Sequence, residues 1–216
     1  MSQNATVFAN YTTLQNEGNF IRKPILIGTN DYEAGWFKLT KGDAQPESYY
    51  VQTTLLVWTC VAENLAQLRR SFGIPSWRYR FFPTFPNTQH PYNSSVAIHT
   101  SEVPIVWGTY NDSIPAAAST TQEDQLSKLM MTQWAAFAKY PTGNGPGCAW
   151  PKYDESTASL ALFGYNGTYD KIGLDENSYY DAGCPATNPS EAVAEMLLKE
   201  GHGPGYDMVT RTSKSS

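Results

Sequence analysis

No serine in this 216-residue chain has glycine both two places before and two places after it, and no HGGG-type segment is present. The strained strand-to-helix turn that lifts a serine nucleophile out of a sheet needs those glycines, and the HGGG segment supplies oxyanion donors, so neither device is visible. Ser71 comes nearest, with Gly73 after it but Arg69 before it. Charge is also sparse: Asp, Glu, Lys and Arg make up 16% of the residues and the formal net charge is -5. With no basic patch, a nucleic-acid partner is excluded. No apolar run approaches the ~20 residues that span a bilayer. Cys60, Cys148 and Cys184 lack the spacing of a metal site, which leaves reduced thiols or one disulfide with one thiol over. Cys60 and Cys148 also lack flanking residues that would depress a thiol pKa and make a nucleophile. No metal or other cofactor is expected.

Periodicity supplies the framework. Residues 23–29 (KPILIGT) form a short Ile- and Leu-rich run between Pro24 and the turn residues Gly28, Asn30 and Asp31, which predicts a buried strand. From Tyr50 to Arg70 apolar residues recur at helical spacing, ending in Arg69, Arg70 and Gly73. Trp77 to Phe82 alternates aromatic residues with arginine, as a strand does. A Pro- and Asn-rich loop then leads to Ala97-Ile98-His99. Thr120 and Glu123 fit a capping box ahead of a helix that stops at Pro141. Ser159 to Phe163 and Tyr169 to Ile172 predict short strands joined by a turn at Gly164 to Gly167. Ala192 to Lys199 reads as a last helix, and His202 to Ser216 as a disordered tail. Strands separated by helices indicate an α/β sheet, although two main strands are too few to complete one.

Two positions carry candidate chemistry. The acidic turn Gly28 to Gly35 places carboxylates just past the C-terminal end of a strand, where α/β enzymes gather catalytic groups; an ordinary polar turn has the same composition. His99 follows a strand and a loop in a mixed apolar and small-residue setting, whereas His90 and His202 lie in polar sequence. A neutral imidazole there can serve as a general base if a carboxylate fixes its tautomer, and it can equally be structural. Glu33 and Glu102 both stand as its possible partner. Asn-x-Ser/Thr sequons at Asn4, Asn10, Asn93, Asn111 and Asn166 are candidate glycosylation sites and point to the secretory pathway. Residues 1–14 have neither a basic n-region nor an apolar h-region, and these two observations together lead us to expect an N-terminal half outside this chain.

In order, these segments resemble the C-terminal half of the type-B carboxylesterase family, which includes cholinesterases and fungal lipases. Gly28-Thr29-Asn30-Asp31-Tyr32-Glu33-Ala34-Gly35-Trp36-Phe37 is similar to the family's G-x-N-x-x-E-G-x-F-F segment, with Ala34 in a usual glycine position. Trp58 to Ala62 is similar to F-x-C-P-A with Val61 for proline, and Pro75 to Phe81 to the fungal P-T-W-R-Y-R-Y strand. Ala97 to Thr109 resembles A-x-H-G-S-E-L-P-x-V-F-G-T, with Thr100 where glycine is usual. Trp134 to Ala138 and Trp150-Pro151-x-Tyr153 match the family's next helix and its W-P-x-Y turn.

The resemblance implies a C-terminal part of an α/β-hydrolase fold: a lead-in at 1–22, the half-domain at 23–184 and a partly disordered tail at 185–216. It implies ester hydrolysis, with a carboxylic ester or lipid as the small-molecule partner, Glu33 as triad acid and His99 as base. Asp31 remains an alternative acid because of the shifted glycine. The family's order of serine, acid and histidine would put the nucleophile and oxyanion donors upstream. Thr100 is less free than glycine to adopt positive φ, so the backbone at His99 is expected to differ slightly. The resemblance further implies a Cys60–Cys184 disulfide with Cys148 free, and a secreted protein. A non-catalytic cholinesterase-like adhesion module and a truncated, inactive gene product are the competing readings.

Overall fold

The computed structural model describes residue 8 and residues 10–41, 45–89, 94–112, 117–147 and 149–185. The expected helix at 192–199 and the tail lie outside the described residues, as do His90, His202, Cys148 and the sequons at Asn4 and Asn93. Among the described residues, four strands form one mixed sheet in the order β1 (Ile25–Asn30), β2 (Ser76–Phe81), β3 (Leu160–Phe163) and β4 (Gly173–Asp175). The first three run parallel and β4 is antiparallel to β3. The chain enters through the short α1 (Tyr11–Asn16). Between β1 and β2 lie α2 (Gly35–Lys41), α3 (Glu47–Thr54), a π-helical turn (Leu55–Thr59) and α4 (Cys60–Ser71). Between β2 and β3 lie the short α5 (Pro86–Gln89), α6 (Val103–Trp107) and the long α7 (Thr121–Lys139).

Local sequence explains these elements. Gly28 pairs with Tyr79 across the β1–β2 ladder, and a Cβ at Gly28 would stand 2.3 Å from the Tyr79 ring, so only glycine lets the two strands meet there. The alternation in β2 splits its faces. Trp77, Tyr79 and Phe81 enter an aromatic core with Trp134, Trp150 and Phe163, and the Tyr79 and Trp134 rings sit 5.1 Å apart. Arg78 and Arg80 take the other face. Arg78 is buried in a two-point ion pair with Asp181, Nη1–Oδ2 2.5 Å and Nη2–Oδ1 2.8 Å, which satisfies a charge that burial would otherwise make costly. Helix α7 starts where the Thr120 Oγ1 accepts the Glu123 N–H at 3.1 Å, and it buries Leu126 and Met130.

Two expectations are corrected. The single helix expected from Tyr50 to Arg70 is α3 and α4 interrupted by the π turn, in which the Cys60 N–H bonds the Leu55 carbonyl five residues back. Tyr169 to Ile172 are not a strand; Tyr169 and Ile172 pack against the core from irregular backbone, and the register against Leu160–Leu162 is taken by Gly173–Asp175. A disulfide joins Cys60 to Cys184 across a separation of 124 residues. Closing so long a loop is typically worth ~2–5 kcal/mol.

Candidate active site

The turn after β1 carries the carboxylates. Asn30 is fully buried at the strand end, and its N–H donates to Glu33 Oε1 at 2.7 Å. A second backbone donor of the turn, Ala34 N–H, goes to Thr54 Oγ1 at 3.0 Å, which ties the turn to α3. Gly35 packs where a Cβ would meet the Tyr32 ring at 2.3 Å, so the turn folds back tightly on itself. Glu33 is thus a buried carboxylate, its side chain 5% exposed, held by backbone geometry set locally.

His99 comes from the loop after β2 and α5. That loop is fastened to the acidic turn by Tyr32 N–H donating to the Ala97 carbonyl at 2.9 Å. His99 Nδ1 lies 2.8 Å from Glu33 Oε2. An ionised carboxylate can only accept, so Nδ1 carries the proton and Nε2 is the basic nitrogen of the neutral ring. The imidazole side chain is 46% exposed, so this nitrogen belongs to a ring that reactants can approach. Its pKa is raised above the ordinary histidine value, first by the hydrogen bond to Glu33; burial opposes this, and the charges of Glu33 and Glu102 add to it.

The remaining acidic candidates have other partners. Asp31 accepts from Arg80 Nε at 3.0 Å, and its carbonyl accepts from Arg80 Nη2 at 2.8 Å. Glu102 takes a short hydrogen bond from Asn30 Nδ2. Burial raises its carboxyl pKa, partly offset by that bond; burial, with these negative charges, also pushes the Tyr79 hydroxyl well up. Asn30 therefore touches both carboxylates, Glu33 through its backbone and Glu102 through its side chain. Thr100 adopts φ 71 although it is β-branched, so the loop takes the left-handed turn expected of glycine instead of avoiding it.

Sequence reasoning gives no role to Asn30 or Trp58. The Trp58 ring lies 5.5 Å from the His99 ring at 54° and 6.1 Å from Phe37. With Trp36 5.6 Å from Phe37, an aromatic wall runs from α2 to the histidine. The partners of Asn30 and Trp58 are distant in sequence, 72 positions in the case of Asn30 and Glu102, and no local pattern marks them. Among the described residues, a group of Glu63, Asp181 and Cys184 has its polar atoms within 4.8 Å of one another, but Cys184 is in the disulfide and offers no thiolate to a metal. No described helix is long and apolar enough to cross a membrane. Asn10, Asn111 and Asn166 are exposed.

Residues 47–179 match the model of the Carboxylesterase family. Carboxylesterase 1F of Mus musculus is 25% identical over 230 residues, covering 83% of this chain and 40% of its own length. Secreted lipase 5 of Gibberella zeae is 29% identical over 164 residues, covering 70% and 30% respectively. Para-nitrobenzyl esterase of Bacillus subtilis is 34% identical over 118 residues, 52% of this chain and 22% of its own length. Among solved structures, a PNB esterase superposes with a TM-score of 0.57 at 24% identity, covering 75% of this chain and 38% of that one. A carboxylesterase of Geobacillus stearothermophilus gives 0.53 at 19% identity, covering 75% and 40%. These superpositions show the fold, an α/β-hydrolase sheet with its helices. The chain spans about 40% or less of the length of these relatives.

Proposed function

The chain belongs to the carboxylesterase family, and on that premise we propose that it supplies the acid, Glu33, and the base, His99, of a serine-esterase triad. The complete protein hydrolyses carboxylic esters, with the serine and the oxyanion donors carried by sequence outside this chain. The observation that carries the reading is the 2.8 Å contact between His99 Nδ1 and Glu33 Oε2. With Nδ1–H committed to the carboxylate, Nε2 removes the serine proton as the hydroxyl attacks the ester carbonyl. The imidazolium then returns that proton to the leaving alcohol. Water repeats the cycle on the acyl-enzyme, and the buried Glu33 stabilises the imidazolium in both halves.

The disulfide, the exposed asparagines Asn10, Asn111 and Asn166 of three sequons, and the likeness to a secreted lipase support an extracellular, N-glycosylated protein. The aromatic wall of Trp36, Phe37 and Trp58 supports an ester with an apolar portion near the histidine.

The test is hydrolysis of p-nitrophenyl butyrate by the protein expressed with its upstream sequence. Glu33→Gln and His99→Ala should each lower kcat by roughly 10³-fold or more with the fold intact. The 216-residue chain alone should show no turnover at such rates. Hydrolysis by this chain that survives His99→Ala would sink the assignment.

A further inference from the structure

The π turn at Leu55–Thr59 sits where three fixed points meet. Thr54 Oγ1 accepts Ala34 N–H beside Glu33, Thr59 Oγ1 accepts Arg80 Nη1 at 3.4 Å, and Cys60 is bonded to Cys184. One extra residue in a helical turn rotates the rest of the helix by about 100° relative to an uninterrupted one, so α3 and α4 can each meet their own anchor. Trp58 lies on this turn, half-buried, with its ring against His99. The hydrogen bond to Glu33 holds Nδ1, and a large flat ring alongside limits how far the imidazole can swing about its own side-chain torsions. The centroid distance of 5.5 Å is also within reach of a cation–π attraction once the imidazole is charged.

We infer that Trp58 is a positioning residue for the base of the proposed triad, carried on the π turn, which keeps the His99 ring aligned with Glu33 and favours its imidazolium form. The inference rests on the Glu33–His99 reading above. Among the described residues, the charged groups acting on the imidazole are Glu33 and Glu102, both of which favour the cation, and the tilted Trp58 ring 5.5 Å away is close enough for its π density to act in the same sense.

The experiment is a proton–carbon NMR titration of ring-labelled histidine in the protein expressed with its upstream sequence, with the His99 signal assigned by its loss in His99→Gln. Trp58→Leu keeps an apolar side chain beside the imidazole but removes the π face. Its His99 pKa should fall by about half a pH unit, and Trp58→Phe should fall less. Glu33→Gln should lower it further than either. If Glu33→Gln lowers the pKa and Trp58→Leu does not, this inference is wrong and the acid–base pair stands. If Glu33→Gln has no effect, the pair is not formed and the proposed function fails with it. Should Trp58→Leu not fold, the unsubstituted chain decides the matter. Protonation of His99 should quench Trp58, giving a fluorescence step that His99→Gln abolishes, and absence of that step overturns the inference.

Discussion

Tyr32 N–H donates to the Ala97 carbonyl at 2.9 Å, so the acidic turn and the histidine loop, far apart in sequence, share a main-chain bond two residues from His99 and one from Glu33. The alignment of the pair is therefore built into the backbone before either side chain acts.

The loop stores strain one residue past His99. Thr100 holds φ 71, a conformation that costs a β-branched residue about 1–2 kcal/mol and glycine almost nothing. Thr100→Gly should raise stability by roughly 0.5–1 kcal/mol in urea unfolding, after allowance for glycine's larger chain entropy. A loss of stability would mean that Thr100 makes contacts worth more than the strain.

Glu102 should act on the proposed base through charge. It is held by Asn30, and its carboxylate raises the His99 pKa. Glu102→Gln keeps an oxygen to accept from Asn30 and removes the charge, so the His99 pKa should fall. In the protein with its upstream sequence, the acid limb of kcat/KM against pH should move to lower pH. An unmoved limb would show that Glu102 is structural only.

Glu63 provides a separate pH dependence. Burial first, then the Asp181 carboxylate, pushes its pKa from 4.5 up to about 6 against the pull of Arg78, with Glu155 adding to the rise. A folded pKa above the unfolded value means that the folded chain binds the proton more tightly. The resulting stabilisation is complete below pH about 4.5 and is lost as pH rises through about 6. Glu63→Gln retains an acceptor for the Gln67 Nε2–H donor and should raise the melting temperature near neutral pH but not at pH 4.5. Equal effects at both pH values would refute the linkage.

The Arg78–Asp181 pair should be costly to break and cheap to replace. Asp181→Ala strands a buried guanidinium and should destabilise by about 3–5 kcal/mol, whereas Arg78→Met with Asp181→Leu should recover most of that loss. Denaturant midpoints of the two variants measure the difference. Equal loss in both would show that packing, not charge, sets the cost.

Much of this architecture is readable from periodicity. The Ile-Leu run of β1, the aromatic–arginine alternation of β2 and the Thr120 cap of α7 each encode their element within a few residues. The π turn is not readable, because apolar spacing through Leu55, Leu56 and Cys60 fits one helix whether or not a turn holds an extra residue. Tyr169 and Ile172 are legible as inward-facing but not as unpaired, since apolar character reports burial and not hydrogen bonding. At the site, Glu33 and His99 stand in recognisable segments. The bond from Asn30 to Glu102 and the packing of Trp58 on His99 depend on how distant segments meet, which no local pattern records.

The Cys60–Cys184 bond divides the chain topologically. His99 lies inside the covalent ring it closes, with β2, β3 and α7; Glu33 lies on the open arm that precedes it. A single backbone cut anywhere in the ring leaves one molecule until the disulfide is reduced, while a cut between Glu33 and Cys60 leaves no covalent path from the acid to the histidine. Under tension applied at the two ends, the arm bearing Glu33 is drawn out, and the 124-residue span bearing His99 contributes almost nothing to the extension. The two halves of the pair thus belong to different mechanical units, held together by the β1–β2 ladder, the main-chain bond from Tyr32 to Ala97 and the hydrogen bond between the side chains themselves.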